Sequence, residues 1–215
     1  MAQCDVFIIE DNVQFETQGF QNRNRVKTFD GVKWLTVPVE HVGKPQAIDE
    51  VKIANSAEPK WAERHWLTLK FNYSRALFWE EYKGFFEETY SQRWTMLFDL
   101  NMHLIKGLMR FLRIEKPLVM ASSLGVSAKK SDLVLIQCKA VGADTLVAGI
   151  GAQEYLDLQS FEREGVKVVS QNFQHPVYPQ VHGAFVPNLS AVDYLFCAAG
   201  KDWRTADTKV QEQRL

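Results

Sequence analysis

Residues 117–171 constrain the fold more than any other stretch, because strand-like and helix-like segments alternate along them. The apolar runs 117–121, 145–149 and 166–170 each have the length of a buried strand, and the segments between them have the length of helices. Strands joined by single helices run parallel, since the helix returns the chain to the starting edge. This stretch therefore predicts an α/β fold with a βαβαβ core in a mostly parallel sheet.

The remaining segments predict elements that flank this core. Residues 5–10 form an apolar run that predicts an N-terminal strand, and residues 25–28 with 33–39 predict a hairpin about a turn at Asp30-Gly31. Residues 48–53 predict one more short strand. From 59 to 114 the large apolar residues recur at spacings of three and four, which predicts a helical segment.

A chain of 215 residues is long enough for one large domain or two small ones. We predict a single α/β domain over 1–215, in which 59–114 forms a helical subdomain and the polar tail 201–215 is loosely held. The first strand begins almost at residue 1, which is abrupt for a core strand. We therefore expect that a further segment normally precedes it.

Charge and cysteine content exclude several classes of function. The chain has 25 basic and 26 acidic side chains, so no net positive charge favours a nucleic acid or an anionic membrane. Cys4, Cys138 and Cys197 are widely spaced and show no metal-binding pattern, which indicates reduced thiols in a cytoplasmic protein. No apolar run approaches the length of a membrane span. We predict no metal and no cofactor, and homo-oligomer formation stays open.

Ligands of open α/β sheets bind at the carboxyl ends of the strands. The loops 122–130 and 149–151 leave such ends, and Asp11 lies at the same edge if the first strand is also parallel. Ser122 is therefore a candidate binding residue. The backbone N–H groups of Gly149 and Gly151 could bind a phosphate, although glycines also serve simply to make tight turns, and the full dinucleotide fingerprint is absent.

Two arginines are the main candidates for holding an anion. If residues 20–27 are extended, alternation places Arg23 and Arg25 on one face and Asn22 and Asn24 on the other. Guanidinium groups about 7 Å apart along a strand can hold a phosphate or carboxylate through paired hydrogen bonds. The alternative is a solvated strand face with ordinary surface arginines.

The segment from His175 to Gly183 predicts a polar loop, because its two prolines and its glycine forbid regular structure. It carries His175, Tyr178 and Gln180. Histidine suits acid–base chemistry near neutral pH, but no partner for this one is visible in the sequence. Ser190 and Asp193 then predict the start of a helix.

Several short phrases, spread in order over nearly the whole chain, together resemble one known family. They are Phe7–Phe15, Gln21–Arg25, Trp34–Val39, Trp61 to Tyr73, Gly142–Asp144, Gly149–Gly151 with Tyr155, His175–Gln180 with Phe185, and Leu189 to Phe196. On these phrases the chain resembles the WbqC-like family of bacterial proteins, which is associated with gene clusters for O-antigen and other surface polysaccharides. Family members usually begin with a Gln-Pro and Tyr-Leu-Pro-Trp-type segment ahead of the first matched strand, and this sequence starts after it.

The resemblance implies a cytoplasmic transferase that acts on a nucleotide-linked amino sugar and moves an acyl or aminoacyl group. The alternative is a binding or assembly protein without turnover, an inactive or truncated relative, which the missing segment and the Asp11-Asn12 pair favour. For the enzyme we predict Asp11 and His175 as catalytic groups. The predicted substrate-binding residues are Asn22, Arg23, Arg25, Ser122, Gly149, Gly151, Tyr178 and Gln180.

Overall fold

The computed structural model describes residues 1–171, 173 and 175–199, so the predicted loose tail at 201–215 lies outside the described residues. Contacts within the chain divide the described part into two compact units. The first unit contains residues 1–12 and 114–173, and the second contains 13–113 and 175–199. The second unit is therefore built from two stretches that the first unit separates in sequence.

The described chain contains both helices and strands. The strands are Phe7–Ile9 (β1), Arg23–Thr28 (β2), Gly31–Thr36 (β3), Leu118–Met120 (β4), Thr145–Ala148 (β5) and Lys167–Ser170 (β6). The helices are Trp61–Tyr73 (α1), Trp79–Ser91 (α2), Leu97–Phe111 (α3), Lys130–Ala140 (α4), Leu158–Arg163 (α5) and Ala191–Ala198 (α6). The predicted mixed α/β class is confirmed. Within the described ranges no helix is both long and apolar enough to cross a membrane.

The first unit contains two parallel strand pairs. β1 pairs with β4, with Phe7 opposite Leu118, and β5 pairs with β6, with Thr145 opposite Lys167. The elements β4, α4, β5, α5 and β6 follow one another along the chain as predicted. The pairs nevertheless form separate two-stranded sheets in the described residues, so a continuous βαβαβ sheet is not confirmed. Phe161 of α5 is fully buried at the centre of a small core beneath β5 and β6.

The second unit begins with the β2–β3 hairpin. The strands are antiparallel, with Arg25 opposite Trp34 and Thr28 opposite Gly31. The turn lies at Phe29-Asp30 rather than at Asp30-Gly31, and Gly31 adopts a φ of 111°, which a residue with a side chain rarely adopts. The hairpin was therefore predicted correctly, but its strands pair two to three residues nearer to the turn on the β3 side.

The predicted strand at 48–53 is wrong. Ile48–Glu50 forms a short 3-10 helix instead, because the Glu50 carboxylate accepts a hydrogen bond from the Ala47 N–H at 3.2 Å and so closes a turn. Only single bridges remain on either side of the turn, such as that between Val39 and Ile53. The adjacent acidic residues at 49 and 50 favour a turn over a strand, and this local signal outweighs the apolar ends of the segment.

Helices α1, α2 and α6 form the main core of the second unit. Its centre is aromatic: Trp79 and Phe86 of α2 contact Phe196 of α6, with ring centroids 4.8 and 5.3 Å apart. Tyr73, Phe86 and Phe196 have no exposed surface. Although α6 is only eight residues long, its apolar side chains close this core.

One face of α3 carries His103 and Arg110, and an aromatic ring of α2 covers both side chains. Phe85 of α2 stacks on His103 with centroids 4.8 Å apart, and the Arg110 guanidinium lies 5.8 Å from the Phe85 ring centre. Gly107 lies between these two residues on the same helix face. A Cβ atom on Gly107 would lie under 3.0 Å from three carbon atoms of Phe85. Gly107 is therefore the position at which the Phe85 ring meets the α3 backbone.

We expect Gly107→Ala to lower the free energy of unfolding by about 1–3 kcal/mol, because the added methyl group overpacks this contact. Gly84 of α2 provides a matched control, since a Cβ there meets nothing within 4 Å. Gly84→Ala should raise the free energy of unfolding by about 0.5–1 kcal/mol through helix propensity alone. Urea denaturation of both variants measures the difference. Equal effects of the two substitutions would contradict the close contact.

Candidate functional site

The β2–β3 hairpin brings two arginines to one face together with an indole ring. The Arg23 and Arg25 guanidinium carbons lie 4.5 and 5.7 Å from the centre of the Trp34 ring. Arg25 and Trp34 are cross-strand neighbours, so their side chains leave the hairpin on the same side. The alternation of β2 therefore places both guanidiniums on one face, as the sequence predicts.

Each guanidinium also holds a neighbouring loop. Arg23 donates through Nε to the Gly19 carbonyl at 3.2 Å and through Nη2 to the Gln18 carbonyl, and Arg25 donates through Nη2 to the Asn188 carbonyl at 2.8 Å. A guanidinium has five N–H donors, so both groups keep donors for a ligand. Neither forms an ion pair with a carboxylate of the residues that the structure describes. The face therefore carries two positive charges that no described acidic side chain pairs with.

Asn22 is buried at the start of this hairpin. Its Nδ2 donates to the Val37 carbonyl at 2.9 Å, whereas its Oδ1 is buried without a described hydrogen-bond partner. The Nε of Arg25 is likewise buried and unpaired within the described part of the chain. Buried polar atoms without partners are uncommon in folded proteins, and strain or a functional role are among the explanations for them. Asn22 therefore holds the backbone and retains one acceptor.

A second polar cluster is buried behind the loop that follows His175. Asp193 of α6 has no exposed surface, and its two carboxyl oxygens accept three side-chain hydrogen bonds. Tyr73 donates at 2.7 Å, Tyr178 at 2.8 Å and the Gln180 amide at 2.9 Å. An acceptor-only carboxylate satisfies such a set of converging donors. The cluster joins α1, α6 and the loop.

Lys27 of β2 completes this cluster. Its Nζ donates to Gln180 Oε1 at 3.1 Å and to the Ala184 carbonyl, and its side chain is almost fully buried. Gln180 Oε1 also accepts from the Val186 N–H, and Gln180 Nε2 also donates to the Val186 carbonyl. Both donors and both acceptor sites of Gln180 are thus in use. The cluster, here called the Asp193 network, consists of Lys27, Tyr73, Tyr178, Gln180 and Asp193.

The Asp193 network keeps its phenol groups protonated. Burial and the neighbouring Asp193 carboxylate raise the pKa of Tyr73 and of Tyr178 well above the usual range of tyrosine. The same two causes raise the pKa of the Cys197 thiol to about 11. Groups with such pKa values act as hydrogen-bond donors at neutral pH and not as bases or thiolate nucleophiles. The network therefore fits a positioning role for the loop.

His175 lies at the start of this loop beside two aromatic rings. Its ring centre is 6.1 Å from that of Tyr178 and 5.7 Å from that of Phe185, and its Nδ1 lies 2.9 Å from the Pro176 carbonyl. The side chain is half-buried. The Pro176 carbonyl can only accept, so this hydrogen bond requires a proton on Nδ1.

In the first unit, Asp11 and Ser122 meet at the carboxyl ends of the paired strands β1 and β4. The Ser122 N–H donates to Asp11 Oδ1 at 2.9 Å, and the Ser122 hydroxyl donates to Oδ2 at 2.5 Å. The segments that follow two parallel strands converge here, as the sequence predicts, but Ser122 lies in a short 3-10 helix, Ala121–Leu124, where a loop was predicted. Asp11 is buried, and each of its two carboxyl oxygens accepts one hydrogen bond from Ser122.

Gly149 and Gly151 follow β5, where a short 3-10 helix spans Ile150–Glu154. Neither glycine has a positive φ, and an added Cβ would meet nothing within 4 Å at either position. Sterics therefore do not require glycine here. Gly149 lines a cavity of about 740 Å³ in the first unit, together with residues of β1, α4 and β5. The described residues contain no group of three or more His, Cys, Asp or Glu side chains that could hold a metal ion.

Sequence reasoning missed five residues of these clusters. Lys27, Tyr73 and Asp193 were not predicted as partners because they are far apart in sequence and Lys27 continues an ordinary polar run. Trp34 was not assigned to the face that carries Arg23 and Arg25 (here called the arginine face), nor was Phe20, whose ring centre lies 5.5 Å from that of Trp34. A sharper signal was available, since Arg25 and Trp34 must be neighbours once the hairpin register is set.

Comparison with known proteins gives one family and one relative. The sequence profile described as the WbqC-like protein family matches residues 1–205. The chain is also similar to a protein of Mycobacterium tuberculosis described as uncharacterized protein Rv1507c, with 32% identity over 199 residues, which is 91% of this chain and 85% of that protein. No solved structure matches the chain.

Proposed function

This chain is a member of the WbqC-like protein family, and we propose that it is a cytoplasmic transferase of surface-polysaccharide (O-antigen) synthesis. Its substrate would be a nucleotide-linked amino sugar, and the group transferred to the amine would be acyl or aminoacyl. The observation that supports this proposal is the pair Arg23 and Arg25, held on one face of a hairpin without a described carboxylate partner.

A diphosphate is the ligand group that best matches this pair. Its oxygens accept from planar guanidinium donors, and two adjacent cations offset its charge. The strand pairing of β2 with β3 and the loop contacts of both arginines fix the guanidiniums before a ligand arrives. Such preorganisation reduces the entropy lost on binding. The arginine face is therefore proposed as the diphosphate-binding site of the second unit.

The other predicted residues have different proposed roles, according to the unit in which they lie and the hydrogen bonds that they already form. His175 belongs to the same unit as the arginine pair, and its role in proton transfer remains our proposal. Gln180 has no free donor or acceptor, so we assign it, with Tyr178, to the support of the loop rather than to the sugar. In the first unit, Asp11 and Ser122 keep their proposed catalytic and binding roles.

We expect calorimetry with a panel of nucleotide sugars to detect binding that depends on both arginines. Replacing either Arg23 or Arg25 with glutamine should weaken binding roughly tenfold to a hundredfold, because each change removes charge-assisted hydrogen bonds. Arg25→Lys should restore only part of the affinity, since it keeps the charge but not the planar fork. A panel without any detectable heat would contradict the proposal.

Arg75 provides the matched control. It is exposed, lies in the same unit and follows α1, so Arg75→Gln changes the net charge equally at a distant place in the sequence. We expect its affinity for the nucleotide sugar to stay within about twofold of the parent protein, as for a surface charge. Loss of binding in the Arg75 variant would show that only net charge matters.

His175→Gln should lower turnover with the acyl or aminoacyl donor and leave the binding heat unchanged.

A further inference from the structure

Two aromatic rings lie exposed beside the arginine face. Phe20 has 64% and Trp34 has 41% of its surface exposed, and their ring centres are 5.5 Å apart with planes inclined by 48°. Single exposed apolar residues are common, but a pair of large rings in contact is an apolar patch of the kind that binds ligands. We call Phe20 and Trp34 the aromatic pair.

The aromatic pair is held in place by the same contacts that hold the arginines. Trp34 is fixed by the pairing of β3 with β2. Phe20 lies in a loop that Arg23 ties down through the Gly19 and Gln18 carbonyls, and the Gln21 side chain accepts from the Glu16 N–H at 2.7 Å in the same loop. Arg23 therefore links the two rings, since it holds the loop of Phe20 and lies over Trp34.

Rings and cations together favour one class of ligand. An aromatic side chain offers a face on which a flat, uncharged ring stacks, and the guanidiniums beside it attract the charge of phosphates. A nucleotide carries both groups on one molecule, separated by a single ribose. A free sugar phosphate would use the arginines and leave the aromatic pair uncovered.

We propose that the nucleobase of the ligand stacks on the aromatic pair while its phosphates bind Arg23 and Arg25. The inference rests on the proposed function and adds where the base lies. Stacking uses the faces of the base and not its edges, and the aromatic pair has no hydrogen-bonding group other than the Trp34 indole N–H. The site therefore discriminates little among bases. Purines should bind slightly more tightly than pyrimidines, because their ring face is larger.

Calorimetry with the full chain tests the base separately from the phosphates. The probes are ADP, GDP, UDP and inorganic pyrophosphate. We expect the nucleoside diphosphates to bind about tenfold or more tightly than pyrophosphate, in line with the effect of one stacked base. Phe20→Leu should remove most of this advantage and leave pyrophosphate binding unchanged, whereas Phe20→Tyr should retain it.

Phe71 supplies the matched control, because it is 79% exposed and lies on α1 of the same unit. Phe71→Leu should change neither the nucleotide nor the pyrophosphate affinity. Tryptophan fluorescence adds a local readout, since a base stacked on Trp34 quenches its emission. Quenching by ADP should disappear in Trp34→Phe while binding persists, because phenylalanine still offers a face for stacking.

The two proposals fail in different ways. Equal affinity for ADP and pyrophosphate, or full retention of the nucleotide advantage in Phe20→Leu, would overturn the stacking proposal and leave diphosphate binding by the arginines intact. Absence of binding for all four probes and for the nucleotide sugars would overturn the proposed function itself. Quenching that survives in Trp34→Phe would place the base at another tryptophan and would also overturn the stacking proposal.

Discussion

Replacing Asp193 with asparagine is expected to lower the free energy of unfolding by about 3–5 kcal/mol, the range for breaking a buried charged network. The change replaces one of the two carboxyl oxygens with an NH2 group, which would face a donor: either the Tyr73 hydroxyl at Oδ1, or the Tyr178 hydroxyl and the Gln180 amide at Oδ2. It would also remove the negative charge of Asp193, which Gln180 links to the buried Lys27 cation through two hydrogen bonds. Urea denaturation, followed by fluorescence, measures the loss.

Two further variants decide whether the network is the cause. Asp49→Asn makes the same chemical change at an exposed position of the same unit and should stay within about 0.5 kcal/mol of the parent protein. Combining Lys27→Met with Asp193→Asn should cost less than the sum of the single changes, because both charges leave together. A loss of less than about 1 kcal/mol in Asp193→Asn would contradict a closed network.

Acidification is expected to destabilise the protein through His65. This residue of α1 is buried, and its Nε2 donates to the Thr36 carbonyl at 3.1 Å between the rings of Trp61 and Tyr90. Burial is the main cause that lowers its pKa from 6.5 to about 4. Between these two pH values the unfolded chain binds a proton that the native state does not. The stability is therefore fully present above pH 6.5 and is lost as the pH falls toward 4.

The His65 contribution to this loss is roughly 3 kcal/mol, from about 1.4 kcal/mol for each pH unit of the window. His65→Gln keeps a donor for Thr36 and removes the titrating ring, so its stability should fall less steeply with acid. His41 is exposed in a loop of the same unit, and His41→Gln should keep the full slope. Parallel stability–pH curves for the parent protein and His65→Gln would refute the assignment.

The sequence predicts those parts of the molecule that depend on local pattern. The spacing of large apolar residues predicts the helices between 59 and 114, because that spacing is what packs one helix face against a core. Alternation along β2 predicts that Arg23 and Arg25 share a face. The prolines and the glycine after His175 predict the irregular loop, since they prevent both helix and strand hydrogen bonding.

The local sequence pattern does not show which segments pair when they are far apart in the chain. An apolar strand such as β5 shows that it is buried but not which strand lies beside it, so the separate pairs β1–β4 and β5–β6 were not predictable. Asp193 and Tyr73 meet from positions 120 residues apart, and no local feature of either marks the other. The stacking of Phe85 on His103 likewise depends on how α2 crosses α3, which the pattern within either helix does not contain.

The interrupted course of the second unit has a consequence for how the chain acquires its structure during synthesis. Leu195 and Phe196 are fully buried among helices made from residues that precede 114. In a nascent chain the surfaces of Trp79 and Phe86 that contact Phe196 therefore stay uncovered until α6 has emerged. Such prolonged exposure of apolar surface favours association between nascent chains, and it is the kind of surface that chaperones bind.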